Sequence, residues 1–228
     1  MPHSIHRQLA ERYAGDPGLV EVKVARYVVD AVSDGGEFIE IQTHGFHKLK
    51  SKLERLLEMG RVVLVFPTAY ERQIVKLEDD SDEIRSQRRS PKRGSRADII
   101  RELRGIAHIM EREDFSVHIV VTRERELRRD CVGGRHWRRK YEVIDRCLES
   151  VVRTERYETP QDYRRFIPND LKRPFTNKSL ARRLKTRPGN AQILTSLLRK
   201  MGVIESIGRT KEGLQYVTCD TTTPDEET

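Results

Sequence analysis

The chain has 228 residues, 36% apolar and 35% charged, a composition that suits two modest cores better than one large one. Lys and Arg outnumber Asp and Glu by 44 to 36, giving +8, and Cys131, Cys147 and Cys219 are widely spaced with no CxxC or Cys/His ligand spacing. This argues against a disulfide framework or zinc finger; with no signal peptide and no apolar run approaching the ~20 residues of a membrane span, it predicts a soluble, cytoplasmic protein.

In chain order, Ile5, Leu9 and Tyr13 recur at four-residue steps and predict a helix over 4–14, stopped by Gly15-Asp16-Pro17-Gly18. Residues 19–32 are β-branched and alternating and read as one strand. Ser33 to Glu37 reads as a turn and 38–43 (FIEIQT) as a second strand. Leu49, Leu53, Leu56 and Leu57 predict a helix over 47–59 ended by Gly60. The run 62–67 (VVLVFP) is apolar throughout, as in a strand buried on both faces, and 70–77 reads as a further strand. A basic loop (86–96), a helix (99–110) and a strand (116–122) follow. Then come a basic connector (128–140) holding Trp137 and a joining helix (141–155). The fold class expected is α/β, a mixed sheet flanked by helices, for 1–154.

A boundary is placed near residue 155. From Glu155 to Thr218 there are 14 Lys/Arg against 6 Asp/Glu, a compact basic block of the kind that meets a polyanion. The last ten residues carry four acids and no base, and 219–228 is expected to be a disordered acidic tail. Within the block, helices are predicted over 159–166, over 176–184 with Thr176 or Asn177 as cap, and from Pro188 to Met201. In the third, Ala191, Leu194, Leu197, Leu198 and Met201 face inward, leaving Asn190, Gln192, Thr195, Ser196, Arg199 and Lys200 outside. Residues 203–208 and 214–218 form a hairpin with Arg209 and Lys211 at its tip.

This order of elements over 155–218 resembles the winged-helix family. The resemblance implies a small DNA-binding domain whose third helix enters the major groove of duplex DNA. Asn190, Gln192, Thr195, Ser196 and Arg199 would face the bases, with Arg209 and Lys211 against phosphate.

Asp30 and Glu40 are the most informative pair in the chain. Both lie in otherwise apolar strands, and a hairpin symmetric about Gly35 sets them opposite each other with Cβ atoms ~4.5–5.5 Å apart. Gln42 shares the face of Glu40. Carboxylates this close repel unless a proton or cation lies between them, and an oxygen-only site suits Mg²⁺ or Mn²⁺. The succession of helix, strand with Asp30, turn, strand with Glu40-Ile41-Gln42, helix and buried strand over 4–77 resembles the PD-(D/E)XK nuclease superfamily, whose fold is restriction-endonuclease-like. The resemblance implies that Asp30 and Glu40 hold the metal, with Glu11 as an additional helix acid, and that Gln42 stands in the usual lysine's place. Gln42 carries no positive charge but can orient a water, and Val29 stands where a proline is usual. Lys48, Lys50 and Lys52 would contact phosphate. The function expected is metal-dependent hydrolysis of DNA phosphodiesters. An inactive DNA-binding regulator on the same two domains is the alternative, and a structural or RNA-binding module a third. A homodimer is compatible with the sequence.

Overall fold

The computed structural model describes residues 4–131 and 141–219. The expectations for Trp137, for most of the basic connector and for the acidic tail after Cys219 lie outside the described residues. The chain divides into two compact units, each discontinuous in sequence. The first comprises 1–43, 51–95 and 117–156; the second comprises 44–50, 96–116 and 157–228.

The first unit is α/β, a mixed seven-stranded sheet with helices against it. Helix α1 (Ser4–Tyr13) is followed by β1 (Val20–Val24), β2 (Tyr27–Val32), β3 (Phe38–Ile41), α2 (Lys50–Leu57), β4 (Val62–Leu77), β5 (Ile84–Arg89), β6 (Phe115–Asp130) and β7 (Tyr141–Tyr157). The sheet order is β1-β2-β3-β4-β6-β7, with β5 also on β4. β1–β2, β2–β3 and β4–β5 are antiparallel, while β3–β4 is parallel. One face of the sheet carries Ala31, Ile39, Ile41, Val63, Val65 and Val120, buried together with Ile5, Leu9 and Ala10 of α1. These alternate residues form the core surface that the sequence pattern calls for.

Several elements differ from expectation. Residues 19–32 make two strands, because Ala25 adopts a left-handed φ of 53° and turns the chain between Val24 and Tyr27 without a glycine. β4 runs through Pro67, which falls between the stretch paired with β3 (62–65) and the stretch paired with β5 (73–77). The first part of the expected basic loop is strand: β5 covers Ile84–Arg89 and is exposed throughout, while 90–95 is irregular as expected. The joining helix expected over 141–155 is the long strand β7. Ile144, Leu148 and Val151 follow a helical period, but the β-branched Val143, Ile144, Val151 and Val152 suit a strand, and pairing in the sheet decides.

In the second unit a single 3₁₀ turn covers Phe46–Leu49, and the helix expected over 99–110 is broken into 3₁₀ turns around the short α3 (Ile100–Leu103). A 3₁₀ helix at Pro160–Phe166 starts from the Thr159/Asp162 capping box. Then come β8 (Phe175–Thr176), α4 (Asn177–Arg183), α5 (Pro188–Lys200), β9 (Ile204–Thr210) and β10 (Gly213–Thr218), with the strands in the order β8-β10-β9. Thr176 caps α4, accepting the N–H of Ser179. α3 packs against α5, and Tyr157, Tyr163 and Phe166 form a buried aromatic cluster.

Candidate functional site

The β2–β3 register pairs Ala31 with Ile39 and Val32 with Phe38, which makes Asp30 and Glu40 the next positions along. There the backbone ladder gives way to a side chain: Asp30 Oδ2 accepts the N–H of Ile41 at 2.7 Å. The same oxygen lies 3.2 Å from His6 Nε2, and that nitrogen is also 3.2 Å from the Ile41 carbonyl oxygen. His6 is therefore the α1 residue that meets the acidic pair. The hydrogen bond to Asp30 raises its pKa above the usual imidazole value, against the opposing effect of burial.

Glu40 is 3% exposed. Burial first, and the negative charge of Asp30 second, push its pKa up to about 7, although the Lys52 ammonium pulls the other way. Lys52, on α2, forms an ion pair with Glu40 Oε1 and donates to the carbonyl of Val28 at 2.6 Å. Oε1 is sealed from solvent and receives no well-directed hydrogen bond. Gln42 follows β3, its backbone N–H donating to Val65 at 2.9 Å, so it continues the parallel ladder beside Glu40.

Glu11 is not part of this group. It lies on the exposed face of α1 and pairs with Arg7 at 2.8 Å, because the helical period that turns His6 toward Asp30 turns Glu11 elsewhere. Lys52, expected at phosphate, is held at a carboxylate. Lys48 and Lys50 are exposed residues of the second unit. Sequence reasoning missed His6 altogether: its partners lie 24 and 35 positions away, and no local spacing announces them.

The oxygen donors near the pair are the two carboxylates and the Ile41 carbonyl, hard ligands, and the His6 Nε2 nitrogen lies beside them. Among the described residues no three His, Cys, Asp or Glu side chains form a group that could hold a metal ion. An oxygen site would thus rest on the carboxylate pair and the backbone. The buried Oε1 of Glu40 receives no well-directed hydrogen bond and already faces one cation, the Lys52 ammonium; with a second carboxylate beside it, the site fits positive charge.

A second cluster of buried charge crosses the sheet elsewhere. Glu124 and Glu126 of β6 are 3% and 1% exposed. Arg72 Nη2 reaches Glu124 at 2.8 Å, while Arg128 and Arg146 reach Glu126 at 2.5 and 2.8 Å. Side-chain hydrogen bonding to Arg128 and the neighbouring guanidinium charges outweigh burial and lower the Glu126 pKa, so this network is internally satisfied.

In the second unit a groove of about 960 Å³ lies between α4, α5 and the β9–β10 hairpin. Gln192, Ser196, Arg199 and Arg209 line it, as do Asn177 and Lys178, which the sequence did not suggest. Lys211 is exposed at the hairpin turn. Asn190 is half-buried and donates to Thr186 Oγ1 at 2.8 Å. Thr195, expected to face outward, is 1% exposed and donates to Asn177 Oδ1 at 2.7 Å, tying α5 to α4. Its place on the helix follows the period of Ala191, Leu194 and Leu198, so it belongs with the packed face.

Residues 3–158 match the family described as a domain of unknown function, DUF8091, and the chain belongs to that family. A curated relative in Treponema pallidum (strain Nichols), described as an uncharacterized protein, is 31% identical over 153 residues, which is 67% of this chain and 61% of the relative. The chain thus spans about three fifths of that relative's length. No solved structure matches the chain. The family match stops short of α4, α5 and the β9–β10 hairpin.

Proposed function

We propose that the protein is a Mg²⁺- or Mn²⁺-dependent DNA endonuclease, with a PD-(D/E)XK-like, restriction-endonuclease-like first unit and a winged-helix-like second unit that grips duplex DNA. The observation that carries this reading is the acidic pair at the point where β2 and β3 part: Asp30 locked by the Ile41 N–H, and Glu40 buried beside it with only the Lys52 ammonium against its Oε1. The order α4, α5, hairpin, with β8 added to the hairpin sheet, supports the winged-helix resemblance.

Asp30, Glu40 and the Ile41 carbonyl would hold the ion. When bound, it would neutralise phosphate charge and make a coordinated water more acidic. The chain's own residues do the rest. The Ile41 N–H fixes the Asp30 carboxylate, so its geometry needs no reorganisation. His6 bridges Asp30 and the Ile41 carbonyl and keeps the approach of α1 fixed. Lys52 supplies a positive charge that Gln42 lacks, within reach of Glu40, while Gln42 has the amide needed to orient a water. Gln192, Ser196, Arg199 and Arg209 present polar and cationic groups along one groove for base edges and phosphate.

One observation favours the alternative, a DNA-binding regulator without catalysis: Lys52 and His6 already offset the two carboxylates with no further cation. Cleavage and gel-shift assays on the same proteins separate the readings, using duplex, branched and single-stranded substrates with Mg²⁺, Mn²⁺ or EDTA. Wild type should cut in either metal. Glu40→Ala should abolish cutting, and Gln42→Ala should slow it by about 10²-fold, the usual effect of one positioned hydrogen-bonding group. Both variants should still shift duplex DNA. A wild type that binds DNA yet cuts nothing makes the regulator the better reading, and cutting unchanged in Glu40→Ala places the active site elsewhere.

A further inference from the structure

α5 separates two grooves in the second unit. Gln192, Ser196 and Lys200 line both. On one side is the groove facing the β9–β10 hairpin. On the other is a groove of about 750 Å³ walled by Arg101 and Arg104, from the segment around α3, and by Arg187 at the start of α5. Among the described residues no carboxylate lines this second groove. Its remaining cation, Lys200, is engaged, donating to the Ala107 carbonyl at 3.1 Å and facing Glu111 at 3.4 Å. Arg101, Arg104 and Arg187 are all exposed, and among the described residues no ion pair involves them.

Three unneutralised guanidinium groups converging on one channel repel one another, an arrangement that favours an anion between them. Arg presents a planar fork that matches phosphate oxygens. The two-sided arrangement also matches the shape of a duplex. A helix lying in the major groove, about 12 Å wide, is flanked on each side by one phosphate backbone. With α5 as the inserted ridge, Arg199 and Arg209 face one strand, and the groove opposite is where the other strand would run.

Resting on the reading of the second unit as a duplex-DNA grip, we infer that Arg101, Arg104 and Arg187 form a second phosphate-binding wall for the strand across the major groove from the hairpin. Two of these arginines come from within the DUF8091 segment and the third from beyond it. The grip is therefore built jointly by the family domain and the C-terminal elements.

The test is duplex affinity of the full chain, by fluorescence anisotropy, between 50 and 200 mM salt. Each phosphate contact contributes a slope of about 0.9 in log affinity against log salt, so three contacts contribute about 2.7. Arg101→Gln/Arg104→Gln/Arg187→Gln should flatten the slope by that amount, so that over this range the wild type loses roughly 40-fold more affinity than the variant. A charge-matched control, Arg26→Gln/Arg61→Gln/Arg125→Gln in the first unit, should keep the wild-type slope. If the triple variant keeps that slope while Arg199→Gln/Arg209→Gln flattens it, the second wall is refuted and the duplex grip stands. Equal flattening in the triple variant and the control also refutes the wall, since net charge alone would explain it. A wild type that fails to bind duplex at 50 mM salt overturns the grip and the wall together.

Discussion

At Glu40 and His118, burial favours the uncharged side chain, and the two respond to pH differently. Glu40 holds its proton more tightly in the fold than in the unfolded chain, so its favourable contribution is present in acid and is lost as pH rises through about 7. His118 on β6 faces Tyr13, with Oη and Nδ1 3.1 Å apart. Burial, assisted by the charge of Arg156, lowers its pKa to about 4. The unfolded chain takes up a proton near pH 6.5 while the fold does not, so stability is lost as pH falls from 6.5 toward 4. Between pH 7.5 and 5 this amounts to about 2 kcal/mol. Denaturant titrations should show wild type losing about that much more than His118→Asn over the same interval; parallel pH profiles would show that His118 is protonated in the fold. Asp30 and Glu40 were legible because a hairpin with a symmetric turn fixes its own register. His6 and Lys52 were not, since each reaches the pair from a helix whose approach only tertiary packing sets. Thr195 could have been placed correctly: its spacing from Ala191 and Leu198 is that of the buried stripe, and only its hydroxyl suggested an outward role.

Elements were legible where one period dominates the pattern. α4 and α5 begin at Thr176 and Pro188 as capping chemistry predicts, and β3 falls within the strand expected over 38–43. Misreadings arose where the structure uses an uncommon solution, such as a turn at Ala25 without glycine or a proline inside β4 between two pairing stretches. In the segment around α3, Ile99, Ile100, Leu103 and Ile106 follow a helical period that predicts one long helix. It is instead broken into short turns that pack closely on another turn. Glu102 Oε2 accepts the N–H groups of Gly45 and Phe46 at 2.6 and 3.1 Å, and a Cβ on Gly105 would lie 2.7 Å from the backbone nitrogen of His47. Gly105 is therefore a close-approach glycine. Gly105→Ala should lower stability by about 1–3 kcal/mol, the usual cost of overpacking, since backbone must move to admit the methyl group. A neutral or stabilising effect in thermal or denaturant unfolding would show that the two turns have room.

For the whole molecule, charge and order of elements carried most of what was legible. The basic block after residue 155 holds the helices and hairpin that line the large groove, yet the compact unit around them also draws in 44–50 and 96–116, which no shift in composition marks. The discontinuity is a consequence of long-range packing, to which a boundary drawn from composition is blind. The chain carries a buried acidic pair in one unit and a polar, cationic groove in the other, the two features on which the proposed function rests. The proposed chemistry depends on the pair binding a divalent cation, and Mn²⁺ titration of wild type, Asp30→Ala and Glu40→Ala, followed by electron paramagnetic resonance or calorimetry, addresses it directly. Wild type should bind, and each variant should bind more than about 100-fold more weakly, a larger loss than removal of a supporting residue produces. Equal Mn²⁺ affinity in all three proteins would contradict a metal site at Asp30 and Glu40, and with it the nuclease.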